Sequence, residues 1–515
     1  MSASIRVALE GKSLPIDSIL QKGLGLPHSA RRDAHQALPR PAVPRARLRY
    51  TDSVTYARVV PGGQNPPAAG RANVREKESR EHMAIKAPEG TFDLLPDDVR
   101  FWEKFRATAF DVFGRCGYQP VETPLFEQTD LFVRGIGEST DVVSKEMFTV
   151  VSGGNLEKLL AGESIKSKSK LSLRPEGTAG VVRAVVQHDL VPQGGAPAKL
   201  MYAGPMFRAE RPQKGRLRQF RQVGVECLGA DEPTVDAEAI IMLMRFYEAI
   251  GIPAAETRLL LNSMGCEKCR PAYRDLVRDF IRAHADELCE ECNHRADLNP
   301  LRAFDCKVPG CHEVMEDAPK ITDYLCDDCR AHYEAVRGYL DAAGLSYVED
   351  SRLVRGLDYY TRTVFEIQVD TGMGSQNAIG GGGRYDKLAK EVGGRDTPGL
   401  GFALGYERCV LALEALGAKT DAAQVPDAFV ACVDDSLRAQ VFQIVQDCRA
   451  AGLTVDMDHQ RRSLKSQFKL ADKLGARQLV ILGPDEVSAG VAKVRDMDTH
   501  EERTVALGAL IAELG

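Results

Sequence analysis

Apolar and polar residues recur with two different periods along the chain, and these periods predict its secondary structure. Residues 101–118 (FWEKFRATAFDVFGRCGY) carry apolar side chains at helical spacing. Residues 361–369 (TRTVFEIQV) alternate, which is typical of a half-buried β-strand. Two more strand-like runs, 199–210 and 220–229, are separated by the charged turn 211–218. This arrangement predicts an antiparallel hairpin in the middle of the chain.

The remaining patterns divide the chain further. Cys266 to Tyr347 is predicted to be helical, bears many cysteines, and resembles an insertion between strand-forming regions. Residues 399–416 predict a strand followed by a helix that begins near Glu407. From residue 425 onward, strands and helices follow each other in turn, which predicts a small α/β domain with a mostly parallel sheet.

Residues 1–82 differ from everything that follows. They are rich in Pro, Arg, Ala and Gly and have no sustained apolar period, so we expect a disordered N-terminal extension. Up to residue 80 there are 14 Lys and Arg against 6 Asp and Glu. Two interpretations stay open: an organellar transit peptide, or an upstream start, with translation beginning at Met83.

Composition narrows the class of protein. A chain of 515 residues suggests roughly three domains. With 44% hydrophobic and 27% charged residues and no apolar run of about 18, we expect no membrane partner. A net charge of −6 argues against a general nucleic-acid coat but allows a local basic patch. Thirteen cysteines in so large a chain favour reduced thiols or metal sites over disulfides, and hence a cytoplasmic location.

The predicted hairpin carries the first candidate chemistry. Arg208 and Glu210 are two residues apart on one strand and therefore share a face, as do Gln222 and Glu226 on the returning strand. A guanidinium can donate two parallel hydrogen bonds to a phosphate. The alternative is a solvated hairpin with surface charge pairs.

Three further segments give weaker signals. Arg174, Glu176 and Thr178 in RPEGT would alternate on a strand face, as ordinary exposed residues also do. The glycine run 380–383 lets a backbone approach a ligand closely but lacks a nucleotide-binding pattern. Arg408 lies at a predicted helix start, where the helix dipole adds to its positive charge.

The most specific segment is RGLDYY, residues 355–360. It places an arginine, a carboxylate and two tyrosines on the loop that feeds the strand at 361–369. Together these motifs resemble those of class II aminoacyl-tRNA synthetases, and RGLDYY with GGGGRYDKL resembles the histidyl-tRNA synthetase family in particular. The resemblance extends from about Met83 to the C-terminus and rests on YQPVETP (118–124), FRAE (207–210), LVRGLDYYTRTVFE (353–366), GGGGRYDKL (380–388) and GLGFALGYER (399–408).

The resemblance implies an α+β fold. We expect a catalytic domain with an antiparallel sheet flanked by helices, in two parts (83–264 and 348–420). A helical insertion (265–347) would separate them, and a C-terminal α/β anticodon-binding domain (425–515) would follow. The resemblance also implies a homodimer, with the helix and strand around residues 101–126 at the interface.

The implied reaction joins L-histidine to ATP, with Mg²⁺ on the phosphates, and then transfers the histidyl group to the histidine tRNA. Arg208 and Arg355 would act as catalytic groups at the α-phosphate. Arg216 and Arg408 would bind the outer phosphates, and Phe220 would stack on adenine. The histidine-binding residues would be Glu176, Thr178, Gln222, Glu226, Tyr360 and Tyr385.

A non-catalytic relative, acting as a regulatory subunit or a sensor of uncharged tRNA, is the alternative function. Such a protein would be expected to lose phosphate-binding arginines, the RGLDYY loop or the C-terminal domain. This chain retains all three, which favours the enzyme.

Eight cysteines of the insertion form pairs, an arrangement that many members of the family lack. Thiols in such pairs could form one or two tetrahedral structural zinc sites, although cysteine also occurs simply as a small helix residue. The sequence does not determine the pairing, and His294 and His312 are secondary candidates. The cysteines are Cys266, Cys269, Cys289, Cys292, Cys306, Cys311, Cys326 and Cys329.

A basic stripe is predicted in the C-terminal domain. Arg461, Lys465, Lys469, Lys473 and Arg477 recur at every fourth position, which on a helix would produce one charged face. Such a face can position tRNA through phosphate contacts, or it can be merely solvated. With the resemblance we expect tRNA binding here, while the charged turn 211–218 could meet the acceptor end.

Overall fold

The computed structural model describes residues 6–9, 12–15, 85–138, 140–418 and 425–515. The expected disordered extension, residues 1–82, lies outside these ranges except for two short strands. These strands, β1 (Arg6–Leu9) and β2 (Lys12–Pro15), pair in an antiparallel manner. Among the described helices, none has the length and apolar content needed to cross a bilayer.

The first part of the central region contributes four of the eight strands of a large sheet and all three strands of a smaller one. In chain order its helices and strands are α1 (Pro96–Arg115), β3 (Gln119–Pro120), β4 (Phe126–Gln128), α2 (Thr129–Ile136), β5 (Thr149–Val150), α3 (Gly153–Leu160), β6 (Leu171–Leu173), α4 (Thr178–Gln187), β7 (Ala198–Phe207), β8 (Gln219–Leu228), α5 (Pro233–Ile250) and β9 (Arg258–Ser263). The helix predicted from residue 101 begins earlier, because Pro96 suits the first turn and the Asp98 carboxylate accepts a hydrogen bond from the Leu95 N–H (3.0 Å).

The predicted hairpin is confirmed as β7 and β8, which pair from Ala198↔Leu228 to Phe207↔Gln219. The strand prediction for RPEGT is wrong. Strand β6 ends at Leu173 and Thr178 already begins α4, so Arg174, Glu176 and Thr178 do not alternate on a strand. The glycine and proline between them favour a turn over continued pairing.

The insertion is helical, as expected. It runs between β9 and the next strand and contains α6 (Arg270–Ala283), α7 (Glu290–Leu298), α8 (Pro309–Val314) and α9 (Asp327–Ala342).

The chain then returns to the sheet through β10 (Val348–Glu349), β11 (Thr361–Gln368), β12 (Ala378–Arg384), α10 (Leu388–Glu391), β13 (Gly399–Gly405) and α11 (Tyr406–Ala415). The eight-stranded sheet has the order β10-β9-β11-β12-β13-β8-β7-β3. Its six central strands are antiparallel, and only the edge strands β10 and β3 pair in parallel with their neighbours. The glycine run therefore lies in a central strand, β12.

Aromatic side chains fix α1 and α5 against this sheet. The Phe105 and Phe246 ring centres lie 5.1 Å apart in an edge-to-face arrangement, and those of Phe113 and Phe402 lie 5.4 Å apart. All four side chains are buried. This packing leaves the opposite face of the sheet free to build a site.

The C-terminal region forms a separate small core around a five-stranded sheet. Its elements are β14 (Ala428–Cys432), α12 (Arg438–Ala450), β15 (Val455–Met457), α13 (Leu464–Lys473), β16 (Gln478–Leu482), α14 (Pro484–Ser488), β17 (Val491–Asp496), β18 (Glu502–Ala506) and α15 (Leu510–Leu514). The prediction of a mostly parallel sheet is wrong. In the order β15-β14-β16-β17-β18, the first two pairings are parallel and the last two antiparallel.

Candidate active site

The segment between β7 and β8, residues 208–218, carries two of the candidate arginines, Arg208 and Arg216. Arg208 and Glu210 lie just beyond the end of β7 rather than on it, but the Arg208 N–H still bonds to the Arg218 carbonyl oxygen (2.9 Å). The Glu210 carboxylate lies 3.8 Å from Arg208 Nη1 and 3.2 Å from Arg216 Nη1. Arg208 Nε donates to the Pro175 carbonyl oxygen (3.0 Å). The hairpin is thereby joined to the RPEGT turn.

Arg408 reaches the same place from the first turn of α11. Its guanidinium donates to Gly215 O (3.0 Å), Ala378 O (2.9 Å) and Gln376 Oε1 (2.9 Å). Gln376 Oε1 also accepts a hydrogen bond from Arg216 Nε (3.1 Å) and so connects the two arginines. Burial, followed by the charges of Arg216 and Arg208, lowers the pKa of Arg408. This crowding of cations favours an anionic ligand.

Arg355 approaches from the RGLDYY loop. Its Nη1 donates to Glu366 Oε2 on β11 (2.5 Å), and its guanidinium carbon lies 6.0 Å from the centre of the Tyr360 ring. Among the described residues, no atom accepts a hydrogen bond from the buried Arg355 Nε. A Cβ on Gly381 would lie 3.0 Å from Arg355 Nη1, so the glycine run gives the arginine room to lie along the sheet.

These side chains line one cavity of ≈ 190 Å³. Its walls include Arg208, Arg216, Phe220, Gln222, Glu366, Arg355 and Arg408. The Phe220 ring centre lies 5.2 Å from the guanidinium carbon of Arg208, so the ring forms a flat wall beside the charge. Four of the arginines named from the sequence thus converge on a space suited to a polyphosphate.

Beside this cavity lies a buried carboxylate, Glu226, which shares a strand face with Gln222. Its side chain is 0% exposed and accepts hydrogen bonds from Thr178 Oγ1 (2.7 Å) and from the Tyr385 hydroxyl. Burial raises the pKa of Glu226 to about 8. Gln222 Oε1 is buried and, within the described part of the chain, has no hydrogen-bond partner. An acceptor of this kind suits a ligand N–H.

Glu176 lies at the N-terminus of α4. Its carboxylate accepts hydrogen bonds from the N–H groups of Thr178 (2.7 Å) and Ala179 (2.9 Å), which fixes both it and the start of the helix. Burial nevertheless raises the pKa of Glu176. Tyr360 is buried too, and its ring centre is 4.7 Å from that of Tyr359. Hydrogen bonds thus join three of the candidate histidine-binding residues, Thr178, Glu226 and Tyr385, while Gln222 lines the arginine cavity.

Several residues around the site were not found from the sequence. Gln376 ends a short 3₁₀ helix (Gly374–Gln376), and no sequence pattern identifies it. The sequence did contain a signal for Glu366, because it is a charged residue within the alternating strand β11. Arg384 is 0% exposed and binds Asp236 through Nη2 (2.7 Å), a buried ion pair that fixes β12 to α5.

The eight cysteines of the insertion form two groups of four. In each group the sulfur atoms all lie within 4.8 Å of one another: Cys266, Cys269, Cys326 and Cys329 in the first, and Cys289, Cys292, Cys306 and Cys311 in the second. Neither group includes His294 or His312. His312 instead contacts Arg352 through Nδ1 (3.2 Å).

The predicted basic stripe is shorter than expected. Helix α13 presents Lys465, Lys469 and Lys473 to solvent. Arg461 and Arg477 lie outside the helix, so the prediction of a five-residue helical stripe is wrong. Arg461 has φ 54°, a left-handed conformation incompatible with an α-helix, and Arg477 pairs with Asp427 (3.1 Å).

Known proteins are similar to this chain in sequence and in architecture. A profile of the histidyl-tRNA synthetase family matches residues 90–409, and one of an anticodon-binding domain matches residues 427–515. Histidine–tRNA ligase of Desulforamulus reducens is 45% identical over 431 residues, covering 83% of this chain and 98% of that protein. Its counterpart in Moorella thermoacetica is 45% identical over 429 residues, covering 83% of this chain and 97% of that protein.

A solved structure agrees with these matches. Apo histidyl-tRNA synthetase from S. aureus is 34% identical with a TM-score of 0.69, and the match covers 84% of this chain and 100% of that one. The fold is therefore that of a class II synthetase with a C-terminal anticodon-binding domain, as predicted. The chain belongs to the histidyl-tRNA synthetase family.

Proposed function

We propose that this chain joins L-histidine to the histidine tRNA, in two steps that use ATP. The curated relatives carry the name histidine–tRNA ligase. The observation that carries the proposal is the convergence of Arg208, Arg216, Arg355 and Arg408 on one cavity beside the buried carboxylate Glu226.

In the first step, a carboxylate oxygen of histidine attacks the α-phosphorus of ATP. A bond forms between this oxygen and phosphorus, the bond from phosphorus to the bridging oxygen breaks, and pyrophosphate leaves with the electron pair. Arg355 and Arg208 stabilise the charge that develops on the α-phosphate, because fixed cations in a site poor in water act strongly. Arg216 and Arg408 bind the outer phosphates, and Phe220 stacks on adenine.

Mg²⁺ accompanies ATP in this proposal, although we assign it no protein ligand. Mg²⁺ prefers oxygen ligands and commonly keeps several from substrate phosphates and water. The cavity carboxylates Glu210 and Glu366 already accept hydrogen bonds or ion pairs from arginines. The ion would therefore take most of its oxygen ligands from the phosphates.

The hydrogen-bonding groups around Glu226 would account for the choice of histidine. A neutral imidazole offers one donor and one acceptor, and Glu226 and the Tyr385 hydroxyl can meet both. Gln222 Oε1, with Glu176 and Thr178, would receive the α-amino group, and the Tyr360 side chain would supply a hydroxyl. A site that must satisfy such buried groups can reject analogues that lack them by about 10⁴- to 10⁵-fold.

In the second step, the histidyl group moves from the adenylate to the terminal ribose of the tRNA, and AMP leaves. We propose that residues 425–515 bind the anticodon region, with Lys465, Lys469 and Lys473 contacting phosphates and unpaired bases giving the specificity. The turn 211–218 is proposed to meet the acceptor end. Residues 83–264 and 348–420 would form the catalytic domain, and residues 265–347 the insertion.

We also propose a cytoplasmic homodimer. Leu125 (45% exposed) and Phe126 (50% exposed) belong to the segment expected at the interface, where a second copy would cover them. Nothing among the described residues favours the non-catalytic alternative, since the arginines, the RGLDYY loop and the C-terminal domain are all present.

Charging assays with purified protein, ATP and tRNA test the proposed function. Supplied with each standard amino acid in turn, the protein should form acylated tRNA and AMP with histidine alone. The matched control is Arg258→Ala, a change at the exposed first residue of β9, and it should behave as the parent does. A folded protein that charges no tRNA with histidine would overturn the proposal.

A further inference from the structure

The two cysteine groups of the insertion are spaced as metal ligands. In the first group, the Sγ atoms of Cys266 and Cys326 lie 3.7 Å apart, and Cys269 Sγ is 3.9 Å from Cys266 Sγ and 3.8 Å from Cys329 Sγ. In the second, Cys289 and Cys306 Sγ lie 3.8 Å apart. We propose that each group binds one structural zinc ion, so that the chain holds two.

The distances favour a single ion in each group. Zinc–sulfur bonds of about 2.3 Å in a tetrahedron place the sulfurs about 3.8 Å apart. A disulfide needs about 2.05 Å between sulfurs. In an iron–sulfur cluster the four cysteines are divided among at least two irons, so their sulfurs do not all lie as close together as around one ion. Eight thiols in two such sets therefore match two tetrahedral zinc sites.

Backbone groups around the sulfurs support the same conclusion. Cys269 Sγ accepts a hydrogen bond from the Cys266 N–H (3.2 Å), and Cys266 Sγ accepts one from the Lys268 N–H (3.4 Å). In the second group, Cys311 Sγ accepts one from the Cys289 N–H (3.2 Å). Such bonds orient metal-binding thiolates. Gly265 has φ +61°, and a Cβ there would lie 2.8 Å from Cys269 Sγ, so the tight turn requires glycine.

The N-termini of three helices add an electric field that favours negative charge on the sulfurs. Cys269, Cys289 and Cys326 immediately precede α6, α7 and α9. The positive end of each helix dipole stabilises negative charge, and thiolates are the form of cysteine that binds metal.

The first site also joins the two ends of the insertion. Cys266 and Cys269 lie where the chain leaves β9, and Cys326 and Cys329 begin the helix that leads back to β10. Since β9 and β10 are paired in the sheet, a metal here would close the insertion at its base. The second site, by contrast, lies within the insertion and fixes its own shorter segments.

Residues next to both sites hold the RGLDYY loop. Arg270, which follows Cys269, donates to the carbonyl oxygens of Met264 (2.8 Å) and Tyr360. Arg302, between the cysteines of the second site, donates to Gly356 O (2.8 Å) and to Asp358 Oδ1 (2.8 Å). Both metal sites thus fix arginines that position the loop carrying Arg355. This coupling, unlike the zinc itself, rests on the proposed function.

Metal analysis of the full chain, purified under reducing conditions without chelator, tests the zinc sites. We expect about two zinc ions per chain, with X-ray absorption at the zinc edge showing four sulfur neighbours at about 2.3 Å. Cys266→Ser with Cys326→Ser should leave one zinc, as should Cys289→Ser with Cys306→Ser. Cys448→Ser, in the C-terminal domain, is the control and should keep two.

Several results would overturn the two-site proposal. The parent protein could contain less than a tenth of an equivalent of zinc, only one equivalent, or iron instead. The absorption spectrum could also show nitrogen and oxygen neighbours in place of sulfur. The spectrum uses the unaltered protein, so it decides even if the serine variants fail to fold.

Arg302→Ala tests the coupling separately. It should retain two zinc ions, while the turnover number for histidine activation falls about tenfold and Arg302→Lys recovers part of it. Unchanged turnover in Arg302→Ala would remove the coupling but leave the zinc sites intact. Zinc-loaded parent protein that does not activate histidine would count against the proposed function instead.

Discussion

Replacement of Arg355 by alanine perturbs the proposed chemistry most selectively. The guanidinium donates from Nη1 to Glu366 Oε2 and contacts the Tyr360 ring, while its buried Nε has no partner within the described residues. In the variant, Glu366 keeps a second partner, because its Oε1 accepts a hydrogen bond from Gln368 Nε2 (2.7 Å). The fold should therefore survive the change, and the lost interactions should be those with the α-phosphate.

The size of the effect follows from these contacts. A charge-assisted hydrogen bond contributes about 1.5–3 kcal/mol, and a guanidinium can donate two in parallel. Loss of both would raise the barrier by about 3–6 kcal/mol. Because each 1.36 kcal/mol is tenfold in rate, turnover should fall by about 10²- to 10⁴-fold.

Histidine-dependent ATP–pyrophosphate exchange measures this step without tRNA. Arg258→Ala is the matched control, since its exposed contacts with Asp370 and Gln368 contribute little and its side chain does not line the cavity. Thermal unfolding should show that both variants are folded. Exchange by folded Arg355→Ala at the parental rate would refute the role assigned to this arginine.

Four further results are expected. Gly401→Ala should raise the KM for histidine at least about tenfold in the exchange assay, because its Cβ would fall 1.9 Å from Glu226 Oε2; an unchanged KM would contradict this packing. Since Glu226 has a pKa of about 8 when folded and 4.5 ordinarily, the folded protein holds a proton there that the unfolded chain loses as the pH rises between these values. Stability should therefore fall over this range, and Glu226→Gln should flatten the dependence of the melting temperature on pH; parallel curves would argue against it. Arg384→Met removes the guanidinium partner of the buried Asp236 carboxylate, which keeps only His332 Nε2 (3.2 Å) among the side chains described, and should lower the free energy of unfolding by about 3–5 kcal/mol in a denaturant titration, whereas a loss below about 1 kcal/mol would show that the pair is unimportant. Replacing the three exposed lysines of α13 by alanine should raise the KM for tRNA in charging and weaken its salt dependence; an unchanged KM would place the tRNA elsewhere.

The sequence predicted much of the site because short motifs contain chemically distinctive residues. Three elements follow from the local spacing of apolar side chains: the hairpin, the strand after RGLDYY and the helix near Glu407. Gln376 could not be found in this way. It bonds to Arg216, 160 residues away in the chain, and only the folded sheet brings the two together.

Two features of the fold could not be derived from the sequence, each for its own physical reason. Glycine has low strand propensity and no side chain to alternate, so nothing in GGGG indicated β12. The structure shows the reason for these residues: a Cβ on Gly382 would lie 2.1 Å from Gly401 O on the neighbouring strand. The prediction of a mostly parallel C-terminal sheet was wrong for another reason. The alternation of strands and helices does not reveal strand direction, and β17 and β18 are antiparallel to their neighbours.

Binding of a stable histidyl-adenylate analogue tests most directly whether the arginine cavity and the Glu226 pocket form one site. Isothermal titration should give one analogue per chain. Arg355→Ala, which alters the phosphate side, and Glu226→Gln, which alters the histidine side, should each weaken binding at least about tenfold. An analogue that does not bind the folded parent, or that binds both variants as tightly as the parent, would contradict the account.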